Sequence, residues 1–180
     1  MNQQLHDLGY LRVPAFVSPG RAAALARQLA AHHETSGESF DAQVPGAPCS
    51  YNFLPFVRLL VEKLPQVEAL CGAAVLPTYA YSRMYRRGAT LAPHVDRPAC
   101  EVSLTLHLRG DRPWDFWLRT FGHAPLAVAL GPGDALMYLG CQAEHWRESF
   151  QGEDCVQVFL HYVLAHGAHA RHFFDREKAQ

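Results

Sequence analysis

Glu101-Val102-Ser103-Leu104-Thr105-Leu106-His107-Leu108 is the stretch that decides the fold. Val102, Leu104, Leu106 and Leu108 fall on one side of an extended chain, and Ser103, Thr105 and His107 on the other. That period of two marks a half-buried strand. The same texture recurs on both sides of it. Residues 78–86, rich in tyrosine, precede it, and residues 114–120, 126–130, 135–139 and 155–164 follow, separated by Gly, Pro and Asp turns. Short strands at such close intervals imply an antiparallel sandwich or jelly roll.

The texture upstream of Val75 is different. Residues 8–17 read as a short strand broken by Pro14. Ser18-Pro19 reads as an N-cap followed by proline at the first helical position. The Ala/Leu-rich stretch 21–33 is helical, with Leu25 and Leu29 on one face. Residues 34–50 carry no period and form a loop, the place to look for a lid. Residues 52–70 are mainly helical, interrupted near Pro65. The chain is therefore expected to be one mainly β domain over 1–180 with N-terminal helices (α+β). Residues 1–74 give helical support, 75–165 the jelly-roll core and 166–180 a polar tail.

A 180-residue chain with 49% hydrophobic residues and net charge -1 suits a soluble globular domain. It has no global basicity to attract nucleic acid. No apolar run reaches the length of a membrane span, and the N-terminus lacks a basic-then-apolar signal pattern. Cys49, Cys71, Cys100, Cys141 and Cys155 are odd in number and lack a C-x-x-C pair, which argues against a disulfide scaffold or zinc knuckle. The expected compartment is the reducing cytoplasm; the oligomeric state is not readable.

His94-Val95-Asp96 carries the chemistry. Two residues apart on an extended strand, His94 and Asp96 point to one face. His145, beyond the turn at Gly131-Pro132-Gly133-Asp134, supplies a third donor from a later strand. Two imidazoles and one carboxylate on one side of a metal leave the opposite positions open, an arrangement suited to non-haem Fe(II) working with O2.

In order, Tyr85-Arg86-Arg87-Gly88, His94-Val95-Asp96, Pro132-Gly133-Asp134-Ala135 and His145 resemble the 2-oxoglutarate- and Fe(II)-dependent oxygenases, in particular their prolyl-hydroxylase-like branch. The resemblance implies a double-stranded β-helix, a cupin-like jelly roll holding the metal between two sheets. It implies Fe(II) on His94, Asp96 and His145, 2-oxoglutarate as cosubstrate and O2. It also implies hydroxylation of an unactivated C–H bond, with release of succinate and CO2. The carboxylate of Asp96 argues against halogenation and leaves desaturation and ring formation open. The implied substrate is a peptide or protein residue, a free amino acid or a small metabolite.

Tyr85 stands where relatives place a tyrosine on the far carboxylate of the cosubstrate, and Arg83 shares its strand face. The chain departs from the family on its last strand, where Cys155-Val156-Gln157 replaces an expected Arg or Lys. Arg147 is the first candidate to pair with that carboxylate and Arg83 the second, since a buried carboxylate needs a partner. His107, Gln157 and His161 are further cosubstrate candidates, and Arg97 a candidate for a substrate carboxylate. The competing readings are a cupin-like metal enzyme that does not use 2-oxoglutarate, and a non-catalytic jelly-roll binding module.

Overall fold

Strand β10 (Cys155–Leu164) runs through the middle of the protein, between β3 (Val75–Tyr85) on one side and β5 (Val102–Gly110) on the other. Both pairings are antiparallel. In this computed structural model, which describes residues 2–174, two sheets form. The larger also takes β1 (Tyr10–Val13), β2 (Cys49–Tyr51) and β8 (Ala135–Tyr138), in the order β1-β8-β5-β10-β3-β2. The smaller is built from β4 (Leu91–His94), β6 (Phe116–Arg119), β7 (Leu126–Val128) and β9 (Glu144–Arg147), in the order β4-β9-β6-β7. The result is the jelly roll that the alternating texture implied.

The alternation in β5 works differently from a simple sandwich. Its apolar side, with Leu104 and Leu106, is buried in the main core with Leu25, Leu29, Leu59 and Leu60. Those four belong to the helices α2 (Pro19–Ser36) and α3 (Leu54–Glu62). The helices thus cover the outer face of the larger sheet. Its inner face is left for Ser103, Thr105 and His107 together with Gln157, Phe159 and His161 of β10 and Tyr79, Tyr81, Arg83 and Tyr85 of β3. Burial of polar side chains on that face is the first sign of a site.

The helix signals act as expected. Ser18 Oγ accepts from the Arg21 backbone N–H at 3.2 Å, and Pro19 opens α2. The break near Pro65 falls at Lys63, after which α4 (Leu64–Cys71) begins with Pro65 in its first turn. The sequence reading missed α1 (Gln3–Leu8), capped by the Asn2 side chain, the three-residue β2, and two short 3-10 turns at Pro98–Cys100 and Ala170–His172. The expected strand over 8–17 is confined to β1. The turn before β8 ties the helices to the sheet. Gly133 has φ +92, and a Cβ there would run into the Val17 carbonyl, so the close approach requires glycine. Residues 175–180, the end of the expected polar tail, lie outside the described residues. No helix among the described residues is long and apolar enough to cross a membrane.

Candidate metal centre

Pairing of β4 with β9 creates the centre. Cross-strand register sets His94 opposite His145 and Leu91 opposite Arg147. His94 is the last residue of β4 and Asp96 lies just past it, so the pair straddles a strand end rather than sharing a strand. The Asp96 backbone N–H donates to the Gly140 carbonyl at 2.9 Å, which swings the carboxylate back under the imidazoles. Asp96 Oδ1 lies 3.7 Å from His94 Nε2 and 3.5 Å from His145 Nε2. All three donor atoms lie within 4.8 Å of one another.

Both imidazoles are oriented in the same way. Nδ1 of His94 lies 2.8 Å from the Ala92 carbonyl, and Nδ1 of His145 lies 2.8 Å from the Ala143 carbonyl. A carbonyl only accepts, so the proton sits on Nδ1 and the Nε2 lone pair faces inward, as a metal ligand requires. Burial, then His145, lowers the His94 pKa. Burial would raise the Asp96 pKa, but its contacts with His145, His161 and His94 carry it below the ordinary value. Two Nε2 atoms and a carboxylate oxygen gathered at one point bind a divalent cation, which displaces any proton held between them. The donor set therefore fits Fe(II).

The three ligands border a cavity of about 210 Å³, walled by Tyr79, Tyr81, Tyr85, Tyr138 and Phe159. The loop after α2 forms its lip and carries two residues that no sequence signal indicated. Asp41 accepts from both terminal nitrogens of Arg83, at 2.9 and 2.6 Å, and from the Tyr81 hydroxyl. Gln43 Oε1 accepts from Arg83 at 3.2 Å, and Gln43 Nε2 lies 3.3 Å from His94 Nε2. Burial works against both charges of the Arg83–Asp41 pair, but the pairing wins, raising the Arg83 pKa and lowering that of Asp41. Val44 of the same loop is buried against Tyr85, Leu91 and Phe159, so the loop is packed down.

Arg147 presents the opposite case. It is 2% exposed, yet no ion pair to it forms among the described residues. Its Nη1 donates to the Trp114 carbonyl at 2.9 Å, its Nε has no partner, and its guanidinium lies over the rings of Trp114 and Phe116. Burial pulls its pKa below the ordinary arginine value. Thr105 Oγ1 and Gln157 Oε1, on the inner face of the larger sheet, are also buried without partners. Gln157 Nε2 lies 2.7 Å from His107 Nδ1, and burial followed by the charge of Arg147 holds His107 at a pKa of about 4. A buried guanidinium with no counter-ion among the described residues fits a carboxylate-bearing ligand; Arg83 lines the cavity beside the metal ligands, whereas Arg147, His107, Thr105 and Gln157 lie behind its lining.

The remaining candidates divide by position. Tyr85 is buried between Arg83 and the Trp114 ring. His161 stands beside Asp96 and Ser103 rather than with Arg147 and His107. Arg97 lines the cavity mouth with its guanidinium 4.7 Å from the Tyr79 ring centre.

Neither a family profile nor a curated protein matches the sequence. Solved structures do match its shape. A prolyl hydroxylase from Trichoplax adhaerens, in complex with a hypoxia-inducible-factor peptide fragment, aligns at TM-score 0.74 and 10% identity, covering 97% of this chain and 90% of that one. The chain has the fold of the 2-oxoglutarate–Fe(II) oxygenases. HygX from Streptomyces hygroscopicus, with nickel and 2-oxoglutarate bound, aligns at TM-score 0.70 and 14% identity over 92% of this chain and 88% of that one. The α-ketoglutarate-dependent carbocyclase SnoK of nogalamycin biosynthesis aligns at 0.74 and 12% over 92% and 85%. The oxygenase fold thus carries more than one reaction outcome.

Proposed function

We propose that this protein is a 2-oxoglutarate- and Fe(II)-dependent dioxygenase that hydroxylates an unactivated C–H bond of a peptide residue or a small amino-acid-like metabolite. The convergence of His94 Nε2, His145 Nε2 and Asp96 Oδ1 at one wall of the cavity carries this reading. When bound, Fe(II) with 2-oxoglutarate and O2 supplies the oxidising chemistry, releasing succinate and CO2.

The chain's own residues do the holding. The Ala92 and Ala143 carbonyls keep a proton on Nδ1 of each imidazole and both Nε2 lone pairs free. Arg147 takes the far carboxylate of the cosubstrate, with Gln157 and Thr105 supplying hydrogen bonds. Its lack of a counter-ion supports that role, because a buried charge is costly until paired. Arg83 is already neutralised by Asp41 and instead anchors the loop over the cavity. The tyrosines and Phe159 keep bulk water from the reacting centre. A cavity of about 210 Å³ that must also hold the cosubstrate favours a small reacting group such as one side chain. The proposed compartment is the cytoplasm, where the five free thiols and a ferrous site persist.

The test is succinate formation from 2-oxoglutarate with Fe(II) and ascorbate, with and without peptide and amino-acid pools. Succinate should form, depend on Fe(II) and disappear in His94→Ala. No succinate above a heat-killed control in any pool would reject the reading.

A further inference from the structure

Asp96 offers two oxygens, and only one faces the histidines. Oδ1 lies 3.7 and 3.5 Å from the two Nε2 atoms, while Oδ2 accepts from the Ser103 hydroxyl at 3.1 Å. Ser103 Oγ in turn lies 2.9 Å from Nδ1 of His161, a buried imidazole at the cavity wall whose ring packs on Tyr79. A backbone carbonyl, that of Cys100, also lies 3.1 Å from Ser103 Oγ. The serine has one proton, and both the carboxylate and the carbonyl only accept. An N–H from His161 satisfies the serine oxygen, and the charge on Asp96 draws the hydroxyl proton to Oδ2. Gly140 completes the cradle. A Cβ there would stand 2.5 Å from Asp96 Oδ2 and 2.7 Å from Ser103 Oγ, and would overlap the Cys100 carbonyl. The Gly140 carbonyl meanwhile holds the Asp96 backbone N–H.

We infer that Ser103 and His161 are positioning residues that restrict Asp96 to one-oxygen coordination of the metal. The inference rests on the metal-binding reading above and adds a function for residues that reading leaves unused. A carboxylate free to rotate can chelate through both oxygens. On a six-position metal that takes two imidazoles and a chelating cosubstrate, a second Asp96 oxygen would fill the position O2 needs. Engaging Oδ2 with a buried hydroxyl, in a space only glycine leaves open, keeps that oxygen turned away.

The experiment uses Co(II), which is stable in air and whose visible absorption reports coordination number. It measures the Co(II) Kd by calorimetry and the visible spectrum with and without 2-oxoglutarate, and checks each metal-free variant by circular dichroism and melting. Ser103→Ala and His161→Leu should change the Co(II) Kd by about tenfold or more, the scale seen when a partner of a ligand is lost. Their spectra should shift toward a higher coordination number. His161→Asn keeps an N–H within reach of Ser103 and should retain native affinity and spectrum. Should Ser103→Ala not fold, the contrast between His161→Leu and His161→Asn decides. Native Kd and spectrum in both disabling variants would overturn this inference and leave the metal site standing. Absence of Co(II) binding by the native chain would overturn both.

Discussion

Replacing Arg147 with methionine separates the cost of a buried charge from its use. The guanidinium is desolvated and, among the described residues, donates one hydrogen bond, to the Trp114 carbonyl. Arg147→Met gives up that bond, worth about 1 kcal/mol, and removes an unpaired buried cation, a gain of comparable or larger size. The metal-free variant should therefore melt within about 4 °C of the native chain. Cosubstrate binding should behave very differently. Removing one partner of a buried charge pair costs about 3–5 kcal/mol, which is roughly two to four orders of magnitude in Kd. With Mn(II) replacing Fe(II) to prevent turnover, 2-oxoglutarate at a hundred times its native Kd contributes about 2.7 kcal/mol. For a chain of this size that is a rise in Tm of about 5–10 °C. The native protein should show that rise and Arg147→Met should not. An undiminished 2-oxoglutarate shift in Arg147→Met would refute the assignment, and a collapse of the metal-free variant would refute the argument that the charge is uncompensated.

Arg83→Met should act in the reverse sense, destabilising the metal-free protein by about 3 kcal/mol because Asp41 loses its partner; urea melts that superimpose on native ones would contradict this. His107 is held at a pKa of about 4, below its unfolded value of about 6.5, so the unfolded chain binds the proton first. Stability from this group is complete above pH 6.5 and is lost as pH falls toward 4, by about 3 kcal/mol in all. His107→Gln should flatten that part of the stability–pH curve, and an unchanged slope would count against the buried neutral imidazole. Leu104→Ala, in the core beneath the helices, should cost about 2–5 kcal/mol by chemical denaturation; a loss below 1 kcal/mol would mean that face is not packed.

Strands whose pattern is local were readable from the sequence. The bounds expected for β10 are those observed, and the alternation of β5 separated its two faces correctly. The cap at Ser18 was readable because the donor and acceptor lie three residues apart. What could not be read depends on distant chain segments. β2 has three residues and exists because β3 offers an edge to pair with. Arg83 and Arg147 looked alike as sequence, each sharing a strand face with a site residue. Only the fold shows that one meets Asp41, 42 positions earlier, while the other meets aromatic rings. Alternation sets Ser103 on the polar side of its strand, but its contact with Asp96 depends on the turn that carries Gly140.

The central position of β10 has a consequence for how the protein is made. Its two neighbours, β3 and β5, leave the ribosome long before it does, and they cannot pair with each other across the gap it fills. Until residues 155–164 emerge, the larger sheet exists only as two fragments with open edges, and the polar faces that surround the cavity have no common floor. Such long-range pairing makes folding slow and leaves sticky intermediates. A nascent chain stalled before Cys155 should therefore be a substrate for chaperones and proteases, and metal loading should be a late event, after synthesis of the last strand.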